Sequence, residues 1–469
     1  MSARTPSAGT TPVAVTGARV GVLGLARSGV PVARLLAASG ADVYASDLSP
    51  ADDVRAAARI LSAEGIDAEA GRHDRERLAA CDWIVTSPGI PPSSQVLRDP
   101  AVAALPVYDE LEVASWFARA PIAAVTGTNG KTTTTELLGS IARGAGVSAS
   151  VAGNLGRAFS TAVLEDPEAD WYVLEVSSFQ LGRIATFRPR VAVVLNLTPD
   201  HLDRYPDMDA YARDKARIAE NQGAGDDLCL SAEEAALRGF GEGRPVRRHW
   251  FHRSMPVERG AWISDGWIRV VGEPSEGRVL AVDSLRIPGS HNVQNALAAA
   301  LAATLMGIDR EAIAEALGAF RGVPHRLETI VVRDGVTWVN DSKATNVDST
   351  AVALAAFDRP LIVILGGRHA GGSYSALGPL LATRARRVLA IGEAAEQIAA
   401  ELAGSAPVEI VGTLAQAVEV ARALARPGEV VLLSPACKSY DQFRNFEERG
   451  ERFRSLAGGE AMAEQGAAR

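Results

Sequence analysis

Ala123-Ala124-Val125-Thr126-Gly127-Thr128-Asn129-Gly130-Lys131-Thr132-Thr133 decides how this 469-residue chain is read. The apolar start predicts a buried strand. The small residues predict a turn, and a helix restarts through Glu136, Leu137 and Leu138. Such a turn aims backbone N–H groups into one concavity at a helix N-terminus, where the dipole also favours an anion. Lys131 adds a cation with the reach for outer phosphates, and the Thr132 hydroxyl is of the kind that holds Mg²⁺. Gly130-Lys131-Thr132 fits the second half of the general phosphate loop. The first glycine of that motif would fall on Val125; Gly127 stands two residues later instead. The bland alternative is a strand–turn–helix corner that happens to contain Gly and Lys.

Downstream, Val151-Ala152-Gly153-Asn154-Leu155-Gly156 reads as a polar loop. Trp171 to Val176 reads as a strand carrying Glu175, followed by Ser177 to Gln180. Val191 to Leu197 is an apolar strand ending in Thr198-Pro199-Asp200-His201. In a parallel sheet the strand C-termini share a side, so Glu175 and His201 are expected beside the phosphate loop. A carboxylate and an imidazole there suit a divalent cation on nucleotide phosphates; packing is the alternative for the histidine. Met208 to Ala219 predicts a helix with Lys215 on it, and spacing alone makes Lys215 a surface lysine. Asp227 to Ile287 reads as an antiparallel appendage. Gly289-Ser290-His291-Asn292 opens a long Ala/Leu helix, with Asn292 and Asn295 on one face as caps or as caps that also touch ligand.

Upstream, Arg19 to Gly24 reads as a first strand, with the turn Gly24-Leu25-Ala26-Arg27-Ser28-Gly29, the helix Val30 to Ala38, and a second strand running to Asp47. This opens a dinucleotide-type βαβ unit, with Ala26 in place of the second glycine. The alanine weakens a nicotinamide-dinucleotide reading but leaves another diphosphate possible, or a turn that binds no phosphate. Asp47 stands where an acidic residue meets a nucleotide's sugar or base. Cys81 to Thr86 predicts a strand feeding the turn Ser87-Pro88-Gly89, and Tyr108 to Phe117 a helix leading to a junction at Ala120-Pro121.

Beyond a linker at Gly322 to Glu328, the strands Thr337–Asn340, Leu361–Leu365, Arg387–Ile391 and Val430–Leu433 predict a second open parallel sheet. Its loops carry Asp341-Ser342-Lys343-Ala344-Thr345 and Ser434 to Asp441. The expected class is α/β in three domains: a loose tail over 1–17, a Rossmann-like domain over 18–120, a central P-loop ATPase-like domain over 121–322 and a C-terminal Rossmann-like domain over 323–469.

A net charge of −8 argues against a general nucleic-acid binder. Three widely spaced cysteines give neither a disulfide framework nor zinc spacing, and read as reduced thiols of a cytosolic protein. No apolar run approaches the ~20 residues of a membrane span, and the N-terminus lacks a signal peptide's apolar core.

From about Val20 onward the chain resembles the Mur ligases of peptidoglycan synthesis. The resemblance is carried by Gly127 to Thr133, Glu175-Val-Ser-Ser178, Asn196-Leu-Thr-Pro-Asp-His201 and Gly289-Ser-His-Asn292. Gly24 to Gly29, Asn340 to Asn346 and Ser434 to Phe443 are similar to the D-glutamate-adding branch. The resemblance implies a cytoplasmic, monomeric ligase acting on UDP-N-acetylmuramoyl-L-alanine, D-glutamate and ATP with Mg²⁺ through an acyl phosphate. It implies Lys131, Glu175, His201 and Lys215 as catalytic, with Thr132, Glu175, His201 and a carbamylated Lys215 serving metal. ATP contacts would come from Gly127 to Thr133, Asn295, Arg326 and Asp341. Ser28, Gly29, Asp47, Ser87, Pro88, Gly89, Asn154 and Gln180 would hold the UDP substrate. Thr345, Ser439 and Phe446 would meet D-glutamate. The branch usually carries a lysine where Ala370 stands, so a cation is expected from Lys438, with Arg368 as rival. A folylpolyglutamate-synthase-like ligase shares the ATP module but has no need of the segment Arg19 to Gly89. A non-catalytic nucleotide switch would not need the carboxylate, the histidine and three sheets.

Overall fold

A computed structural model of the chain describes residues 11–87, 89–154, 156–200, 204–271, 277–287, 289–369 and 372–458. The first sheet comprises β1 (Arg19–Leu23), β2 (Asp42–Asp47), β3 (Asp67–Ala70), β4 (Trp83–Thr86) and β5 (Val107–Asp109). All are parallel, in the order β3-β2-β1-β4-β5, so the order reverses between β1 and β4. Ligands of open α/β sheets gather at such a switch point. The helix Gly29–Ala38 follows β1 closely: a Cβ on Gly29 would sit 1.7 Å from the Gly24 carbonyl oxygen, so only glycine fits. The helix expected from Tyr108 instead begins at Glu110. Val107 and Tyr108 extend the sheet, and the Asp109 carboxylate stops the strand by accepting the Leu111 N–H at 3.0 Å.

The second sheet holds β6 (Ile122–Thr126), β7 (Ala149–Gly153), β8 (Trp171–Glu175), β9 (Val191–Val194), β10 (Asp227–Ser231), β11 (Arg247–His252), β12 (Gly260–Ser264), β13 (Trp267–Val271) and β14 (Gly277–Ala281). Its order is β14-β13-β12-β11-β10-β9-β6-β8-β7. Two expectations are corrected here. Val151 to Gly153 belong to the edge strand β7, paired in parallel with β8, so the polar loop begins only at Asn154. The segment from Asp227 is no separate appendage: β10, β11 and β12 continue the parallel sheet, and only β12–β13–β14 run antiparallel. The Leu-Cys-Leu centre of β10 is wholly buried, which requires cover on both faces.

The third sheet holds β15 (Glu328–Arg333), β16 (Val336–Asn340), β17 (Leu361–Gly366), β18 (Ala385–Ile391), β19 (Val408–Gly412) and β20 (Val430–Leu433), in the order β15-β16-β20-β17-β18-β19. It is parallel except for the edge hairpin β15–β16. The sequence reading missed β15 and β19, half-exposed edge strands whose polar residues mask the alternation.

The chain divides into two compact units. One runs up to Ser284 and takes in Gln294–Ala319; the other takes in Leu285–Val293 and resumes at Phe320. Within the first unit, buried Glu112 binds the first two sheets together. It accepts hydrogen bonds from the backbone N–H groups of Ala185, Thr186 and Phe187 at 2.8–2.9 Å. Cys81, Cys229 and Cys437 are buried and unpaired. Among the described residues no helix is long and apolar enough to cross a membrane.

Candidate active site

The phosphate loop leaves β6 at Thr126. Gly127 (φ 147°) and Gly130 (φ 84°) take backbone angles closed to most side chains, and Gly130 caps the helix Lys131–Gly144. A Cβ on Gly130 would also meet Asn295 Oδ1 at 2.3 Å, which puts Asn295 against the loop. Asn196, just past β9, holds the loop open. Its Oδ1 accepts the Thr128 and Asn129 N–H groups at 3.0 and 2.8 Å, and its Nδ2 donates to the Asn129 carbonyl at 3.0 Å. Sequence reasoning quoted Asn196 without giving it this task; an amide directly after a fully buried strand was the available signal. Thr128 donates to the Thr198 carbonyl at 3.1 Å.

Lys131 folds back over the turn, its Nζ donating to the carbonyls of Gly127 (3.0 Å) and Thr128 (2.6 Å). Thr132 and Thr133 are buried. The Thr132 hydroxyl donates to Glu175 Oε2 at 2.6 Å, and Asn154 Nδ2 donates to Glu175 Oε1 at 2.9 Å. Glu175 ends β8 as expected, with 3% of its surface exposed. His201 and Pro88 lie outside the described residues, as does Ala370.

Lys215 is no surface lysine. It is 1% exposed, and its Nζ donates to the Gly127 carbonyl at 2.8 Å and lies 4.7 Å from the Tyr211 ring centroid. Burial, and then the charge of Lys131, push its amine well below the usual lysine range. Helix Met208–Ala216 is polar overall, so only its docking on the loop reveals that its one lysine is inside.

At the first sheet's switch point, the Ser28 hydroxyl donates to Ser87 Oγ at 3.1 Å, next to Gly29. Gly89 follows on the same turn. The Asp47 carboxylate accepts the N–H groups of Leu25 and Ser49, each at 2.8 Å, so it shapes the turn at the ends of β1 and β2. Gln180 closes a capping box with Ser177; its Oε1 accepts the Ser177 N–H and hydroxyl at 3.0 Å.

In the second unit, Asp341 follows β16. Its Oδ2 accepts the Ser434 hydroxyl at 2.8 Å and its Oδ1 the Leu327 N–H at 3.2 Å. Burial pushes its carboxyl up to about 7. Arg326 Nε is buried without a hydrogen-bond partner. Arg449, missed in the sequence because its helix reads as a charged surface, is 1% exposed and donates to Ser342 and to the Cys437 carbonyl. It ties together the loops after β16 and β20. Ser439 is buried while Lys438 beside it is exposed, and Thr345 and Phe446 are half-buried. Arg368 and Lys438 pair through their backbones, and the Arg368 guanidinium lies on Glu393 at 3.1 Å.

Three domain families match in order: the MurD-like N-terminal domain of Mur ligases over residues 18–108, the Mur ligase middle domain over 125–303, and the Mur ligase glutamate ligase domain over 325–437. A protein of Salinibacter ruber named UDP-N-acetylmuramoylalanine--D-glutamate ligase is 46% identical over 95% of this chain and 99% of its own length. The chain belongs to the Mur ligase family. A second relative of that name, from Myxococcus xanthus, is 42% identical over 95% of the chain and 99% of its own length. Among solved structures, the UDP-N-acetylmuramate-alanine ligase of Thermotoga maritima superposes with a TM-score of 0.60, covering 93% of this chain and 98% of its own at 19% identity. That likeness is one of fold. The family places the Thr132–Glu175 contact and the Lys131 turn in an ATP-dependent ligase.

Proposed function

We propose that this Mur ligase joins D-glutamate to UDP-N-acetylmuramoyl-L-alanine with ATP. The observation that carries the reading is the direct contact of the loop hydroxyl Thr132 with Glu175, beside buried Lys215, in a chain nearly half identical to relatives of that name. In the first step the terminal carboxylate of the alanyl substrate attacks the γ-phosphorus of ATP, giving an acyl phosphate and ADP. The D-glutamate amine then adds to the acyl carbon, loses a proton, and inorganic phosphate leaves with the amide formed. Lys131 and the N–H groups of the loop stabilise the phosphoryl group in flight by position and charge.

Thr132 and Glu175 supply neutral and anionic oxygen donors, the set a small hard cation prefers, and they fit Mg²⁺ with His201 as a further ligand. Bound there, Mg²⁺ would neutralise phosphate charge. Burial favours the uncharged form of the Lys215 amine, the form that adds to CO₂ with loss of a proton, and the resulting carbamate would turn a cationic position into an anionic one. Asn295, Arg326 and Asp341 are assigned to ATP. The UDP substrate is assigned to Ser28, Gly29, Asp47, Ser87 to Gly89, Asn154 and Gln180, and D-glutamate to Thr345, Lys438, Ser439 and Phe446. A monomer acting in the cytoplasm is the working form.

The test is a panel of D- and L-amino acids with UDP-N-acetylmuramoyl-L-alanine and ATP, following phosphate release and product mass. D-glutamate alone is expected to turn over. Turnover with another amino acid, or phosphate release without an amine, would remove the reading.

A further inference from the structure

Between the first two sheets lies a cavity of about 110 Å³ that none of the assignments above uses. It is far larger than the ~10–15 Å³ that admits one water. Its walls come from Ile90, just past the Ser87–Gly89 turn, from Asp109 at the end of β5, and from Phe179 and Arg183, which bracket Gln180. It therefore lies between the Ser87–Gly89 turn and the segment carrying Gln180, both assigned above to the UDP substrate.

Asp109 is 1% exposed. One oxygen caps Leu111; the other, Oδ2, is buried and has no hydrogen-bond partner. An unmatched buried carboxyl oxygen is costly, and its place in a cavity wall points to a ligand group. Arg183, half-buried, donates to the Thr86 hydroxyl and the Ile90 carbonyl and still faces the cavity. It makes no ion pair with Asp109. Phe179 stacks on Tyr205 at 5.7 Å with their planes 9° apart and has the Arg204 guanidinium 3.7 Å from its ring centroid, while Ile90 and Pro92 add apolar surface. Arg204 and Asp214 also line the cavity, Asp214 accepting the Tyr205 hydroxyl at 3.0 Å. A lone anion would leave Asp109 Oδ2 unmatched, whereas an amide carries a donor for it and an acceptor for Arg183.

We propose that this cavity receives the acetamido group of the muramoyl sugar, with Asp109 Oδ2 accepting its N–H, Arg183 donating to its carbonyl oxygen, and Ile90 and Phe179 facing its methyl. This rests on the ligase reading above and adds a specificity element to it. Selection for the acetamido group then lies in residues distant in sequence, from Ile90 to Arg183, and away from the reacting carboxylate.

The experiment compares KM for UDP-N-acetylmuramoyl-L-alanine with KM for its counterpart carrying a hydroxyl in place of the acetamido group. The wild-type protein is expected to favour the acetamido substrate by about ten- to a hundredfold, the worth of one hydrogen bond to a charged group. Asp109→Asn keeps an oxygen for the Leu111 cap but turns an amide N–H₂ to the cavity; Arg183→Ala removes the fork. Each is expected to bring the preference close to one by raising KM for the acetamido substrate, leaving KM for the hydroxyl substrate, ATP and D-glutamate in place. A preference that survives in both folded variants overturns the assignment. Calorimetric titration of the two nucleotides into wild-type protein gives the same preference without a variant, and equal affinities there overturn it too. Turnover of both substrates at equal KM removes only this inference; no ligation of either removes the ligase reading with it.

Discussion

Glu112→Gln isolates the carboxylate that joins the first two sheets. Oε1 accepts Trp116 Nε1 at 2.8 Å, the Thr186 N–H at 2.8 Å and the Thr186 hydroxyl at 2.6 Å. Oε2 accepts the N–H groups of Ala185 and Phe187, both at 2.9 Å. Glutamine has the same shape but replaces one acceptor with a donor. The less costly rotamer keeps the three bonds at Oε1 and sets the N–H₂ against the Ala185 and Phe187 donors. Each unmatched group at this site costs roughly 1–3 kcal/mol, so the substitution should destabilise the first unit by about 2–5 kcal/mol. Urea unfolding followed by tryptophan fluorescence and far-UV circular dichroism measures it, as a lower midpoint for the first unit. Because the same loop carries Arg183, KM for the UDP substrate should rise even where the protein stays folded. A midpoint within about 0.5 kcal/mol of wild type, the range of a neutral surface change, would refute the reasoning.

Lys131→Ala should lower turnover by about a hundred- to a thousandfold in a folded protein, since it removes a positioned charge from phosphoryl transfer; steady-state phosphate release checks this, and near-normal turnover removes the role. Lys215→Ala should lose activity and regain part of it with added acetate, which supplies the missing carboxylate; full activity without acetate would take Lys215 out of the mechanism. Lys438→Ala should raise KM for D-glutamate by about ten- to a hundredfold and leave ATP unaffected. The Arg368 guanidinium is already held by Glu393, so Arg368→Ala should do less; the reverse ranking would move the assignment to Arg368.

The phosphate loop was legible because its chemistry is local: strand, glycines, lysine and hydroxyl occur in the order in which the backbone uses them. Glu175 was legible for a related reason, since a carboxylate ending an apolar strand must appear at that strand's C-terminal edge. Lys215 was not. Its helix is mostly polar, and the burial that sets its protonation comes from docking against Thr126 and Gly127, far away in sequence. The extent of the second sheet was misread because β11 and β12 mix charged and aromatic residues, and their parallel pairing is fixed by the neighbouring buried β10. The Asp109–Arg183 cavity had no sequence signal, because its polar lining comes from segments far apart in the chain.

Charge compensation separates the two edges of the second sheet. At the edge where β9, β10 and β11 begin, charges are matched within the protein. Asp226 meets Arg188 at 2.7 Å and Arg190 at 3.4 Å, and Asp227 meets Arg247 at 2.7 Å and His249 at 2.8 Å. At the edge where β6 and β8 end, Lys215 is buried against oxygens that carry no charge, and the Glu175 carboxylate bonds to a hydroxyl and an amide. The third sheet repeats this beyond β16 and β20, where Asp341 is bonded to a hydroxyl and an N–H, and Arg449 to carbonyls and a hydroxyl. The charges of Glu175, Asp200 and Asp214 reach Lys215, and those of Arg326 and Arg449 reach Asp341, yet burial outweighs them and favours the neutral form of both groups. Asp226 and Asp227, by contrast, sit in direct ion pairs with arginines. Buried groups with pKa values pushed toward neutrality, gathered where strands end, mark the edges at which a bound ligand would set their charge.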